Sequence, residues 1–171
     1  MSNISFAFFG TGEIALGVLS ELERAGFTPS HIVTSPDRPA GRGRALTPPP
    51  AKQWALERSI PVSQPEKLDS HFLKNVRMSL TELIVVADYG KIIPKSVLDI
   101  PKHGVLNVHP SLLPRLRGPS PIRSAILTNE KNTGVTIMQM DEEMDHGPIV
   151  AQKQVAITDF PPRGRDLDAL F

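Results

Sequence analysis

The chain has no cysteine. Disulfides, zinc thiolate centres, iron–sulfur clusters and cysteine nucleophiles are therefore excluded. Aromatic residues are scarce, with one Trp, one Tyr and seven Phe in 171 residues, which argues against a single-strand binder built on base stacking. Long apolar runs are missing as well. The longest, Leu83 to Ala87, is strand-sized, far below the ~20 residues that span a bilayer. The N-terminus has neither a basic flank nor a small-residue cleavage pattern, so no secretory signal is expected. Neither sign of charge dominates: 19 Lys and Arg face 18 Asp and Glu. The expectation is a cytoplasmic globular chain with no membrane and no disulfide partner.

Proline, by contrast, is abundant, at 17 of 171 residues against the usual ~5%. Most of the excess falls in two stretches, Ser35 to Pro50 and Pro110 to Pro121. The same two regions carry segregated positive charge. Around the first, Arg38, Arg42, Arg44 and Lys52 face only Asp37; around the second, Arg115, Arg117 and Arg123 face no acid. Two basic loops on an otherwise acidic body suit an anionic partner. Solvated loops are the plainer reading of the same pattern.

Periodicity gives the order of elements. Ile4 to Phe9 reads as a buried strand leading into Gly10-Thr11-Gly12. Ile14, Val18 and Leu22 repeat at helical spacing, with Ala15 and Leu19 nearby and Gly26 as the helix stop. His31 to Thr34 is a second strand, and Ser35 to Pro50 is too rich in proline for regular structure. A helix over Ala51 to Arg58 and a brief strand over Pro61 to Ser63 follow, then a polar, helix-compatible stretch from Pro65. Leu83 to Ala87 is the clearest buried strand; Pro94 to Leu98 is a short helix; Gly104 to His109 is a strand that turns polar at its end. Ile122 to Leu127 is helical, Gly134 to Met140 alternates, Ile149 to Ile157 is a strand, and Arg165 to Phe171 has helical character. Strands alternating with helices predict an α/β, doubly wound, mostly parallel sheet, with the last two strands antiparallel. The helical pattern is still running at Phe171, so the expectation is one catalytic domain over 1–171, cut short at its C-terminal end.

The chemistry concentrates in three places. Gly10-Thr11-Gly12 resembles part of a dinucleotide fingerprint, but the third glycine is replaced by Ala15 and no acid ends the second strand, so an anion-favouring turn is the simpler use. Asn107 and His109 lie two apart on a strand and share a face, with Val108 directed to the core. At the C-terminal end of a sheet strand, an amide and an imidazole can both donate to an oxygen that becomes negative during acyl transfer. Asp145 lies in an acidic loop with Asp141, Glu142 and Glu143, beside Gly147; next to His109 it would orient the ring. His103, His146 and Asp141 match no metal motif, and Ser111 or Ser120 lacks a nucleophile elbow.

The run Asn107-Val-His-Pro-Ser-Leu-Leu-Pro-Arg-Leu-Arg-Gly118, followed by Thr133-Gly-Val-Thr-Ile-Met-Gln-Met140 and Met144-Asp-His-Gly-Pro148, resembles the formyltransferase family that uses 10-formyltetrahydrofolate. The likeness runs from Phe8 to about Ile157. Ser35-Pro-Asp-Arg-Pro-Ala-Gly-Arg-Gly-Arg44 is similar to an insertion found in the branch whose acceptor is methionyl-tRNA. The resemblance implies a Rossmann-like fold, catalytic roles for Asn107, His109 and Asp145, and folate contacts from Ser111, Leu112, Leu113, Pro114, Tyr89 and Gly90. It implies contact of Arg38, Arg42 and Arg44 with the tRNA acceptor arm, 10-formyltetrahydrofolate as co-substrate, and no metal. It also implies a C-terminal β-barrel in family members that this chain does not contain. Departures from the family pattern are Gly12, Ile14 and Asp88. Relatives that formylate small amines such as glycinamide ribonucleotide, relatives that hydrolyse the folate, and a non-catalytic binding fragment are the alternatives.

Overall fold

The computed structural model describes residues 4–40, 44–75 and 81–157. The chain divides into two units, Met1–Val105 and Leu106–Phe171.

In the first unit, β1 (Phe6–Gly10) is buried along its whole length, as a parallel strand covered on both faces must be. It pairs in parallel with β2 (His31–Val33) on one side and with β6 (Leu83–Ala87) on the other. β2 in turn pairs with the short β5 (Val62–Ser63). The chain therefore builds outward from β1 in one direction, then returns to its other side. That reversal falls between β1 and β6, and open α/β sheets bind their ligands beyond the strand ends at such a point.

Helix α1 (Glu13–Arg24) turns Ala15 and Leu19 inward, while Ile14 and Val18 stay half-buried, so the core stripe lies one residue beyond the expected one. Gly26 ends this helix with φ +84°. Its amide donates to Glu23 O and that of Phe27 to Leu22 O, the paired bonds of a Schellman stop. α2 (Pro50–Glu57) opens on a proline and buries Ala51, Trp54 and Ala55. α3 (Ser70–Asn75) and α4 (Lys95–Leu98) are short.

The first proline-rich stretch is more regular than expected. β3 (Arg38–Ala40) and β4 (Ala45–Thr47) pair antiparallel as a separate two-stranded ribbon. A two-stranded ribbon leaves alternate N–H groups facing outward, so it accommodates Pro39 where an inner strand would not.

The second unit contains β7 (Val105–His109), α5 (Pro121–Leu127), β8 (Asn132–Gln139) and β9 (Ile149–Ala156). β8 is antiparallel to both β7 and β9, with Asn107 opposite Met138 and His109 opposite Thr136. The protein is thus an α/β chain with a mostly parallel sheet and antiparallel C-terminal strands. The helical pattern expected over Arg165 to Phe171 lies outside the described residues. Among the described residues, no helix is long and apolar enough to cross a membrane.

Candidate active site

Three polar side chains meet at the end of β7. Asn107 Nδ2 donates to Asp145 Oδ1 at 3.4 Å. His109 Nδ1 lies 3.6 Å from the same oxygen, an ion-pair distance that exceeds a good hydrogen bond. The other carboxylate oxygen, Oδ2, accepts from the Gly118 amide at 2.8 Å. His109 Nε2 sits 3.1 Å from the Leu116 carbonyl. A carbonyl only accepts, so this contact fixes a proton on Nε2. The side chains of His109 and Asp145 are only 6% and 11% exposed, and in such surroundings hydrogen bonds between fixed groups hold geometry tightly.

The structure brings Asn107, His109 and Asp145 together and adds two backbone groups to them. Leu116 and Asp145 are non-glycine residues with φ +57° and +50°, and Gly118 has φ +105°. Left-handed backbone is costly for L residues, and its clustering around polar side chains is typical of sites where geometry is functional. One expectation fails: Val108 is half-buried, and His109 is the buried residue. The following loop folds back over the polar face, with the Ser111 amide bonded to His109 O and Leu116 O reaching the ring.

The segment Ser111 to Pro114 is pinned by a buried network. Thr136 Oγ1, fully inaccessible, donates to Ser111 O at 2.6 Å and accepts from the Leu113 amide at 3.1 Å and Gln152 Nε2 at 2.9 Å. Gln152 Nε2 also donates to Leu113 O at 2.7 Å. Leu112 lies against the β8 backbone, where a Cβ on Gly134 would come within 2.6 Å of its Cδ2. Ser111 Oγ is committed to Arg115 O at 2.8 Å, which removes it as a nucleophile beside His109. Replacing Thr136 by Val leaves the buried Leu113 amide without its acceptor and Ser111 O without its donor. The expected loss is about 1–3 kcal/mol of unfolding free energy, read from urea denaturation.

Asp145 stands in a loop held by its own ion pair. His146 Nδ1 is 2.9 Å from Asp141 Oδ2, and Asp141 Oδ1 accepts from the Glu143 amide at 2.9 Å. The hydrogen bond with Asp141, helped by the charge of Glu143, raises the His146 pKa above 6.5. The same pair lowers the Asp141 carboxyl below 3.8. Acid therefore removes the clamp by protonating Asp141, and base weakens it by taking the charge from His146. Glu143 amide exchange, corrected for its intrinsic rate, is expected to quicken as the pH falls through the lowered Asp141 pKa, below 3.8, and His146→Ala should move that loss of protection to higher pH.

In the first unit, the β1–β6 reversal brings Thr11 to the segment after β6. The Thr11 amide donates to Asp88 O at 3.1 Å and its hydroxyl to Tyr89 O at 3.4 Å. Tyr89 is 3% exposed and its ring stands edge-on to Phe9 at 5.4 Å. Burial pushes its phenol up to about 12, and its hydroxyl has no partner among the described residues. The ring is interior; Gly90, with φ +71° and open space around it, is the accessible part of this pair. Asp88 has φ +48° and sets its carboxylate close over Gly12, where a Cβ would lie 2.3 Å from Oδ2.

Of the three arginines, Arg38 is exposed on β3, Arg44 has φ +49° in the turn just before β4, and Arg42 lies outside the described residues. The base of the ribbon is anchored. Asp37 accepts Lys52 Nζ at 2.8 Å and Gln64 Nε2 at 2.7 Å, and Gln64 also donates to Ser35 O. Lys91 Nζ donates to Pro65 O at 2.6 Å. Its pKa is lowered by burial; Glu66 opposes this, and Arg38 adds a smaller push downward. Leu116, Gln64 and Lys91 carry no sequence signal for the site, whereas Gly118 ends the motif run and Lys52 counts among the cations of the first basic stretch. Leu116 and Gly118 act through the backbone.

A family model described as formyl transferase matches residues 2–161. The chain belongs to the formyl transferase family. Within it, the chain is similar to the methionyl-tRNA formyltransferase of Chloroflexus aggregans, 50% identical over 159 residues that cover 92% of this chain and 50% of the relative. The methionyl-tRNA formyltransferase of Halorhodospira halophila is 48% identical, over 88% of this chain and 49% of the relative. The chain thus spans about half the length of the curated relatives it matches. Among solved structures, a phosphoribosylglycinamide formyltransferase from Bacillus halodurans superposes with TM-score 0.76 at 25% identity, covering 97% of this chain and 86% of that one. A sugar 3N-formyl transferase, WlaRD, solved in the presence of dTDP and 5-N-formyl-THF, superposes with TM-score 0.69 at 21% identity, over 98% and 57%. The formyl transferase fold therefore extends across both units.

Proposed function

We propose that this chain carries the formyl-transfer centre of a methionyl-tRNA formyltransferase acting at translation initiation, with 10-formyltetrahydrofolate as donor. The observation that carries the reading is the convergence of Asn107 and His109 on one oxygen of Asp145. In the reaction, the neutral α-amine of methionine attacks the formyl carbon and its lone pair forms the new N–C bond. The C=O pair moves onto oxygen, where Asn107 Nδ2 and His109 Nε2 donate. For His109 this means that the formyl oxygen takes the place of Leu116 O. Asp145 orients the ring and serves as the counter-charge when both ring nitrogens are protonated. It also helps move the amine proton to N10 of the folate as the C–N10 bond breaks. The products are formylmethionyl-tRNA and tetrahydrofolate.

Ser111 to Pro114, with Tyr89 and Gly90, are the segments assigned to the folate. The buried Thr136 network gives the first of them a fixed backbone, with the half-buried Leu112 and the exposed Pro114 as apolar surface, which suits a flat heterocycle. Arg38, Arg42 and Arg44 are assigned to acceptor-arm phosphates. Support for this acceptor comes from the relatives of 47–50% identity that carry that name. A second reading, transfer to a small amine, draws on the fold neighbours named phosphoribosylglycinamide formyltransferases. Assaying both acceptors with the same donor decides between them. Formylmethionyl-tRNA formation without formylglycinamide ribonucleotide supports the first, and the opposite pattern overturns it.

A further inference from the structure

The Gly118 amide makes the shortest contact to Asp145, at 2.8 Å on Oδ2. The contacts from Asn107 and His109 fall on the other oxygen, at 3.4 and 3.6 Å. Both ends of the short bond come from left-handed backbone: φ is +105° at Gly118 and +50° at Asp145. A side chain at position 118 would meet nothing within 4 Å, so packing does not demand glycine here. What demands it is φ, and that φ turns the N–H towards the carboxylate.

We propose that Gly118 is a positioning residue of the reaction centre. Its amide fixes Asp145 through Oδ2 and so leaves Oδ1 for Asn107 and His109. Two carboxylate oxygens then have separate duties, one structural and one facing the chemistry. Without the amide, the carboxylate is free to rotate and to share both oxygens with Asn107 and His109, and the ring loses its fixed partner. This inference rests on the formyl-transfer reading for its kinetic consequence, and on geometry alone for the bond itself.

The bond is tested by the amide proton of Gly118 in NMR spectra of this chain. Charge-assisted bonds are the shorter and stronger ones, so Asp145→Asn should move that resonance clearly upfield. An unchanged resonance overturns the proposal, whatever the reaction is. The role is tested by kinetics, on this chain or on a full-length relative carrying the same substitutions. Gly118→Ala should lower kcat by about ten- to a hundredfold with KM for the folate nearly constant, since displacement of a catalytic group by ~1 Å is that costly. Substituting glycolic acid at position 118 turns the amide into an ester, removes only the N–H, and should do the same. Gly26→Ala places a φ conflict of the same kind, at +84°, at a helix stop that is also in open space. It should lower stability comparably and leave kcat unchanged. A full kcat in the ester variant, or a loss in Gly26→Ala as large as in Gly118→Ala, contradicts the assignment. Absence of formyl transfer by the unsubstituted protein would instead count against the functional reading and leave the NMR result to decide the bond.

Discussion

Replacing His109 by alanine lowers the turnover of formyl transfer by about 10²–10⁴, the usual reach of a group that donates to a developing oxyanion or moves a proton. The ring is nearly inaccessible and both its nitrogens face protein acceptors, Leu116 O at 3.1 Å and Asp145 Oδ1 at 3.6 Å. Alanine removes both contacts and leaves Asp145 Oδ1 without the ring beside it. Asp145→Ala should cost a similar factor, because it releases Asn107, His109 and Gly118 together. The two losses should be far from additive in the double variant, since the residues act as a unit. Binding of the folate should change little, because the segment assigned to it is held by Thr136 and Gln152 and not by the trio. Single-turnover rates alongside folate Kd values check this, and near-normal turnover in either variant rules out the mechanism as written.

The second large effect concerns the ribbon. Substituting Arg38, Arg42 and Arg44 together by alanine is expected to weaken methionyl-tRNA binding and to flatten its salt dependence. Each lost phosphate contact lowers the slope of log K against log salt by about one unit or slightly less. The ribbon's base is fixed by Asp37 with Lys52 and Gln64, so its cations are carried on an anchored stem. Transfer to a small amine, or hydrolysis of the folate donor, should barely change. Binding titrations between ~50 and ~200 mM salt read the slope directly. An unchanged slope in the triple variant makes the ribbon a solvated loop and removes the charge argument for a tRNA acceptor.

Much of the centre is legible in the sequence because it rests on strand alternation. Asn107 and His109 share a face by spacing alone, and the fold supplies the rest by ending β7 there. Asp145 is legible only as the acid next to a glycine in an acidic loop. Leu116 and Gly118 contribute a carbonyl and an amide, which every residue carries, so no side-chain pattern points to them. The β3–β4 ribbon is hidden by its own prolines, because the local signal against a strand does not register that a two-stranded ribbon tolerates one. The burial of Tyr89 is equally illegible: position 89 follows a buried strand, but the contact with Phe9 arises only when β1 and β6 pair. In α1, the inward stripe of Ala15 and Leu19 against the expected Ile14 and Val18 shows the tertiary context choosing between two adjacent helical faces.

The most direct test is formation of formylmethionyl-tRNA from 10-formyltetrahydrofolate and methionyl-tRNA by this chain, beside its His109→Ala variant and a full-length relative. The account predicts a formylated product whose rate falls by about 10²–10⁴ in the variant. Release of formate with no formylated tRNA while the relative is active, or a product rate indifferent to His109, would contradict it.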